Sequence, residues 1–444
     1  MKFNLPINVQ CILNRLSQCG YDAYIVGGST RDMLLNLPPK DFDINTNAKP
    51  KDILRVFKDF KTFDTGIKHG TVSVVMDKEV YEITTYRVDG EYYDNRHPKQ
   101  VNFTSDLQLD LSRRDFTINA MAYNPKIGLV DFFGGQEDLN NKVIRTVGDA
   151  DIRFNEDALR IIRGLRFASV YGFTIEDKTK KAILSNKELL NNISKERISA
   201  EFIKLLCGKN AVNILRDYRE VFGVIIPELK PMFDFNQNNK HHDKDLWEHT
   251  LCSIDNTECD PVLRMTLLLH DIGKPASEYK DENGVSHYNN HQKAGEMLSE
   301  KILTDLRFSK EFINKVTLLI SIHDNYIEPN KVAVKKLLNL IGEDNFAYYL
   351  KIQYADKTAQ SSFKKQEKIN RIRKTESIFN KVIENGECYS LKQLAVTGRD
   401  LIDSGIKSGR EVGNLLDELL QLVIEEKCPN TKSELLAYIK KADG

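Results

Sequence analysis

The chain has 444 residues, with 64 Lys+Arg balanced by 64 Asp+Glu, so its formal net charge is zero. That balance excludes a protein that coats nucleic acid by bulk charge and leaves room for local basic patches. Hydrophobic residues are 41% of the chain, yet no run approaches the roughly 18 apolar residues of a membrane span, and MKFNLPINVQCILNRL lacks the apolar core of a signal peptide. Residues 6–20 have helical apolar spacing. AYIVGG at 23–28 reads as a short strand ending in glycines, and STRDMLLN as a helix start that Ser29 or Thr30 caps. The FDI of KDFDI is a second expected strand, 49–60 a helix, and 69–76 and 80–87 two strands around a charged turn. Residues 88–106 read as a long polar loop, 111–123 as a short helix or helix-to-strand passage, and LVDFFGG closes this part near 135.

After about residue 146 the spacing turns helical, beginning with NEDALRIIRGLRFASVYGF and continuing near 196–207, 209–219, 246–255, 261–269, 291–306, 310–321, 331–341 and 343–361, with no convincing strand. Polar breaks fall at 233–245 and 383–388. The expected fold is an α+β head with a small mixed or antiparallel sheet, followed by an all-helical neck, body and tail. Its domains are 1–146, 147–232, 233–382 and 383–444, within the two to four that roughly 150 residues per domain predict. The seven cysteines are scattered without CxxC spacing. This points to a reducing, cytoplasmic setting and away from a cysteine zinc site.

Several clusters carry chemistry. Asp41 and Asp43 at i and i+2 share one face if the segment is a strand. Side by side they repel unless a cation intervenes, and magnesium prefers such oxygen ligands; a solvated strand end is the plainer alternative. Glu82, on a neighbouring strand, is a candidate third carboxylate for a two-magnesium site. Gly27 and Gly28, followed by Arg31, suit close approach to a phosphate. Asp115 and Asn119 share a helical face beside Arg113 and Arg114. Asp157, Arg160, Arg163 and Arg166 recur at helical steps. Asp and Arg can hydrogen-bond a base edge, and regular arginines can meet a triphosphate or an RNA backbone; a salt-bridged surface helix is the alternative.

VGGSTRD, KDFDI, GIKHGTVSVV, EITTYRVDGEYYDNRHPKQVNF, LSRRDFTINAMAYN, DFFGGQEDL and RFNEDALRIIRGLRFASVYGF together resemble the class II tRNA nucleotidyltransferases. These are the bacterial CCA-adding enzymes and their relatives, the bacterial poly(A) polymerases. The resemblance runs from about residue 20 to about 210, where NISKERISAEFIKLL also fits. It implies that Asp41 and Asp43 are catalytic metal carboxylates and that Gly27, Gly28 and Arg31 form the triphosphate-side turn. It also implies that Arg114, Asp115 and Asn119 help bind ribose and triphosphate, and that Asp157 and Arg160 read the Watson–Crick edge of CTP or ATP. Arg163 and Arg166 fall in the same nucleotide-binding stretch. The expected partners are the tRNA acceptor end, CTP and ATP, with no membrane, in a monomer or homodimer. A poly(A) or A-only-adding enzyme is the alternative, the 88–106 loop being where these are said to differ.

A second set follows at His249, His270-Asp271, His291, His323 and Asp356, with His287 as a substitute for His291. A charged pair at the end of the apolar run LLLHDIGKP needs a partner, and imidazole with carboxylate suits transition metals such as nickel, manganese or iron. The pattern resembles the HD phosphohydrolases, which implies a metal-dependent phosphatase or cyclic phosphodiesterase. A degenerate domain kept for packing is the alternative. A third reading makes this domain the active part and the head an RNA-binding module. The tail DLIDSGIKSGREVGNLL resembles family tails fused to such a domain, and its glycine-bounded helices suit either backbone phosphates or simple docking.

Overall fold

The computed structural model describes residues 3–63, 66–90, 101–407 and 409–442. The chain divides into two compact units, Met1–Pro227 and Glu228–Gly444.

The first unit opens with α1 (Ile7–Gln18), whose Val9, Ile12, Leu13 and Leu16 form one buried stripe. β1 (Ala23–Val26), α2 (Gly28–Leu34), β2 (Ile44–Thr46), α3 (Pro50–Val56), β3 (Lys61–Phe63), β4 (Thr71–Met76) and β5 (Glu79–Thr85) follow. β6 (Arg87–Asp89), β7 (Val101–Phe103), α4 (Leu107–Ser112), β8 (Met121–Asn124) and β9 (Gly128–Asp131) come next. Seven strands form one sheet in the order β3-β4-β5-β2-β1-β8-β9. Only the β2–β5 pair is parallel, with Ile44 opposite Ile83, so the sheet is mixed. The α1 stripe packs with Ile25, Ile44, Val72, Val74 and Ile83 into the main core of this sheet.

Three expectations change here. The second strand begins at Ile44, so Asp41 and Asp43 lie in its lead-in, although Val26 N still donates to the Asp43 carbonyl at 3.0 Å. Ser29 and Thr30 do not cap α2; their hydroxyls bond back to the carbonyls of Val26 and Ile25, both at 2.9 Å, and Gly27 occupies the cap position. The expected 88–106 loop contains β7, paired antiparallel with β6; its residues 91–100 lie outside the described residues.

α5 (Gly135–Asn140) and β10 (Val143–Ile144) lead to α6 (Ala150–Glu156), α7 (Leu159–Tyr171), β11 (Thr174–Ile175), α8 (Asp177–Ser185), α9 (Lys195–Leu206), α10 (Ala211–Asp217) and α11 (Arg219–Ile225). β11 breaks the expectation of purely helical structure by pairing in parallel with β10.

In the second unit α12 (Leu246–Asp255) and α13 (Pro261–Leu269) precede a hairpin of β12 (Glu278–Lys280) and β13 (Ser286–Tyr288), two further strands that helical spacing did not suggest. α14 (His291–Asp305), α15 (Lys310–Ile322), α16 (Lys331–Ile341), α17 (Glu343–Ala359) and α18 (Lys365–Glu384) follow. α19 (Gly398–Asp403), α20 (Arg410–Ile424) and α21 (Lys432–Ala442) share a small separate core around Leu401, Leu419 and Leu435. Among the described residues no helix is long and apolar enough to cross a membrane.

Candidate functional site

The chain order of the first unit converges on one cavity of about 430 Å³, lined by Asp43, Glu82, Asp157, Arg160 and Arg163 among others. Parallel pairing sets Ile44 opposite Ile83, so the residues before them, Asp43 and Glu82, stand side by side. Burial holds the Asp43 carboxyl above the usual range; Arg114 works against this, while Asp41 and Glu82 reinforce it. Carboxylates gathered around Asp43 in this way offer the oxygen donors that a hard divalent cation such as magnesium prefers.

Gly27 meets this group from β1. Its φ is +70°, and a Cβ there would lie 2.7 Å from Arg114 Nη1 and 3.7 Å from Asp43 Oδ2, so the turn requires glycine. Arg114 lines the cavity, and its Nε is buried without a hydrogen-bond partner. It is suited to an anion beside Asp43. Asp110, unremarked in the sequence, anchors this side: buried in the middle of α4, it accepts from Asn45 Nδ2 at 2.5 Å and from Arg113 Nη2 at 2.9 Å.

Asp115 and Asn119 touch, but through a tight turn rather than a helix face, because the helix ends at Ser112 and a single 3₁₀ turn spans Thr117–Asn119. Asn119 Nδ2 donates to Asp115 Oδ1 at 3.0 Å, while Arg163 grips Asp115 Oδ2 at 2.7 and 2.9 Å. Burial opposes ionisation of Asp115, yet Arg163 and Asn119 hold it well below the usual carboxylate range. Arg31 donates to Asn119 Oδ1 at 2.5 Å and packs over Phe167 and Tyr171. It is thus a buried brace behind Asp115 rather than a residue lining the cavity.

The expected continuous helix through Glu156–Arg166 is broken. Asp157 has φ −139° and ψ 101°, ending α6, and its Oδ1 accepts from Leu159 N at 3.1 Å at the start of α7. A short acceptor side chain that bonds the backbone locally competes with helix continuation. Arg160 Nη1 bonds Glu156 at 2.8 Å and its Nη2 the Arg113 carbonyl at 2.9 Å. Arg166 pairs with Glu201 and lies over the Phe167 ring, outside the cavity lining. Glu201 and Arg197 are a second omission of the sequence reading. Their four-residue spacing in KERISAEF was the available signal.

In the second unit four imidazoles surround Asp271. His249 Nε2 and His270 Nε2 lie 3.6 and 3.1 Å from its Oδ2, and His291 Nε2 and His323 Nε2 lie 3.5 and 3.6 Å from its Oδ1. Asp356 Oδ1 is 3.0 Å from His249 Nε2. His270, His291 and His323 each turn Nδ1 to a backbone carbonyl at 2.7–2.8 Å, which leaves Nε2 facing inward. The Nε2 of His270 is buried without a hydrogen-bond partner. Burial lowers the pKa of His249 and of His291, favouring the neutral imidazole that binds metal. Each carboxylate also has a buried lysine, Lys274 at 2.7 Å from Asp271 and Lys357 at 2.8 Å from Asp356. The donor set fits a transition metal. His287 stands apart on the hairpin, 3.0 Å from Asp281. A cavity of about 1040 Å³ opens onto Asp271, His291, His323 and Asp356.

Comparison with known proteins bears on both units. Residues 23–145 match the poly(A) polymerase head-domain family, 172–233 a family described as an RNA and SrmB-binding site of polymerase A, and 291–439 the tRNA nucleotidyltransferase domain 2 family. The chain is 33% identical over 435 residues to the CCA-adding enzyme of Pediococcus pentosaceus, spanning 98% of this chain and 97% of that one. It is 50% identical over 204 residues to that of Geobacillus thermodenitrificans, covering 46% and 50% of the two chains. The crystal structure of Bacillus stearothermophilus CCA-adding enzyme in complex with CTP superposes with a TM-score of 0.70 at 28% identity, over 99% and 98% of the chains. With a third of its residues shared end to end, and with the carboxylates and the Asp–Arg segment brought to one cavity, the chain belongs to the bacterial CCA-adding enzymes and is a nucleotidyltransferase.

Proposed function

We propose how the first unit carries out CCA addition, with residues 1–146 performing transfer and 147–232 holding the nucleotide base and RNA. The reaction extends the tRNA 3′ end with C, C and A from CTP and ATP and releases pyrophosphate. The single observation that carries the assignment is the gathering of Asp43, Glu82, Asp157 and Arg160 in the lining of one cavity. Asp41, Asp43 and Glu82 would hold magnesium, which when bound supplies Lewis-acid activation of the 3′-hydroxyl and neutralises the departing pyrophosphate. Arg114 offers its free donor to the triphosphate at the Gly27 turn. Asp157 accepts from the amino group of cytosine or adenine, and Arg160 donates to the neighbouring ring nitrogen. Uracil and guanine present a carbonyl and an N–H at those places and are refused. Arg163 and Asn119 hold Asp115 toward the ribose side. The test is a tRNA transcript lacking CCA, incubated with each nucleoside triphosphate singly and together. C, C and A in order support the reading, whereas a long A tract or a single A moves the chain to a poly(A) or A-only enzyme.

A second activity is favoured by the three backbone-oriented imidazoles around Asp271. We infer an HD-type metal site made by His249, His270, Asp271, His291, His323 and Asp356 in residues 233–382. Nickel, manganese or iron bound there supplies an activated water for phosphate-ester hydrolysis. A cyclic or terminal phosphate at an RNA end is the expected substrate class, since either blocks the 3′-hydroxyl that addition requires. Metal content by mass spectrometry, with hydrolysis of a cyclic-phosphate RNA end, tests it. A metal-free, inactive protein under all three ions returns the cluster to a packing role.

A further inference from the structure

We propose that the cavity of the second unit receives the last nucleotides of an RNA chain rather than a free mononucleotide, with Lys368 and Arg371 holding a phosphodiester behind the ester to be cleaved and Tyr326 stacking on a base. The inference rests on the HD-type reading of the histidine cluster and adds to it a rim that recognises the chain.

The carboxylates of this cavity are matched from within. Lys274 lies 2.7 Å from Asp271, and Lys357 lies 2.8 Å from Asp356 and 2.7 Å from Asp324. Lys240, Lys368 and Arg371 line the cavity as well, and among the described residues none of them forms an ion pair. Cations without carboxylates, beside a centre suited to phosphate esters, fit a ligand with more than one phosphate. Lys368 and Arg371 are three residues apart on α18 and so share a face. Lys368 Nζ donates to Gln360 Oε1 at 2.6 Å and meets His241 Nδ1 at 3.3 Å, which leaves one of its three protons for a ligand. Gln360 Nε2 in turn donates to Asp356 Oδ1 at 3.3 Å. The ammonium is thereby held one amide beyond an expected metal ligand, where the next phosphate of a chain would lie. Burial and the nearby Lys357 hold it below the usual lysine range, which a bound phosphate would relieve. The Arg371 guanidinium lies over the Tyr326 ring at 4.3 Å. That ring lines the cavity and is 59% exposed, a platform on which a base can stack. The volume of about 1040 Å³ is at the top of the roughly 300–1,000 Å³ of small-ligand pockets, so a single nucleotide would leave much of it unfilled.

The test compares kcat/KM of the full chain in manganese for cytidine 2′,3′-cyclic phosphate, its 5′-phosphorylated form, and a pentanucleotide with the same cyclic end. In each, water adds to phosphorus, one ring P–O bond breaks, and the released ribose oxygen takes a proton from that water, leaving a monoester. The pentanucleotide should be preferred, with the 5′-phosphorylated nucleotide in between. Lys368→Met with Arg371→Met should cut the preference for the pentanucleotide over the mononucleotide about tenfold or more, as the loss of charge-assisted hydrogen bonds predicts. Tyr326→Ala should cut it about tenfold. The charge variant should also flatten the fall of pentanucleotide affinity with log salt by roughly 0.7 for each cation removed, a change that a purely structural role would not produce. If that variant misfolds by circular dichroism, Lys240→Met, at an exposed position, replaces it. An unchanged preference, an equal loss on all three substrates, or a 5′-phosphorylated nucleotide that matches the pentanucleotide overturns the proposal and leaves the metal site standing. If no substrate is hydrolysed, it is the HD-type reading that fails. Binding of a 3′-phosphorylated pentanucleotide, read by fluorescence polarisation, then decides on the rim: weaker binding by the charge variant upholds it, and equal binding overturns it.

Discussion

Asp43 and Glu82 stand side by side because they precede Ile44 and Ile83, opposed residues of the one parallel strand pair in the seven-stranded sheet. Residues 39 positions apart in sequence thus leave neighbouring strands at the same level, toward the cavity that also holds Arg114.

Replacing either Asp41 or Asp43 with alanine should reduce nucleotide incorporation by roughly 10²–10³-fold or more, the scale of losing one preorganised electrostatic group. The fold should persist, since both residues lie in the lead-in to β2 and neither belongs to the apolar core. Incorporation into a CCA-less tRNA and circular dichroism are the measurements. Near-native incorporation removes these residues from the chemistry.

Asp157→Ala or Arg160→Ala should weaken selection more than it weakens magnesium dependence. A base contact worth roughly 1–3 kcal/mol predicts a tenfold or larger loss of preference for CTP and ATP over UTP and GTP. Wild-type preference in both variants would mean that neither side chain reads the base.

The two units should separate genetically. The double substitution His270→Ala, Asp271→Ala should lose metal and phosphate-ester hydrolysis while retaining addition to an intact acceptor, and Asp41→Ala should do the reverse. Loss of addition in the first variant, with its fold intact by circular dichroism, would show that the sites depend on one another.

Asp115 supplies a pH signature. Its folded pKa is depressed, so its stabilising effect is complete above the unfolded carboxyl value of about 3.9 and is lost as pH falls from there toward the folded value. Asp115→Asn, which breaks the part-buried pair with Arg163, should destabilise the first unit at pH 7 by roughly 1–3 kcal/mol. The gap from wild type should hold between pH 7 and 5 and shrink below pH 4. Urea unfolding across that range checks it; a gap that grows in acid contradicts the assignment.

The ordering of glycine turn, paired aspartates and Asp–Arg segment was legible because each uses residue types that a plain strand or helix would not choose at those steps. The helix break at Asp157 was not, since periodicity measures which side is apolar and is blind to a side chain that captures its own backbone amide. Asp110 escaped notice for a related reason: LQLDLSRRD reads as surface, and burial of that carboxylate follows from Asn45 and Arg113 arriving from elsewhere. α18 was overlooked because KQEKINRIRKTESIF is so rich in charge that its apolar stripe of Ile369, Ile372 and Val382 is thin. In the second unit the hairpin bond of His287 to Asp281 shows why that histidine is spent elsewhere and His291 joins the cluster.

With Lys274 against Asp271 and Lys357 against Asp356, each buried carboxylate of the second unit already has a cation from its own chain. A core neutralised from within need not wait on trace elements in order to form. Stripping the protein of any bound metal with a chelator should therefore leave the second unit folded, as read by circular dichroism.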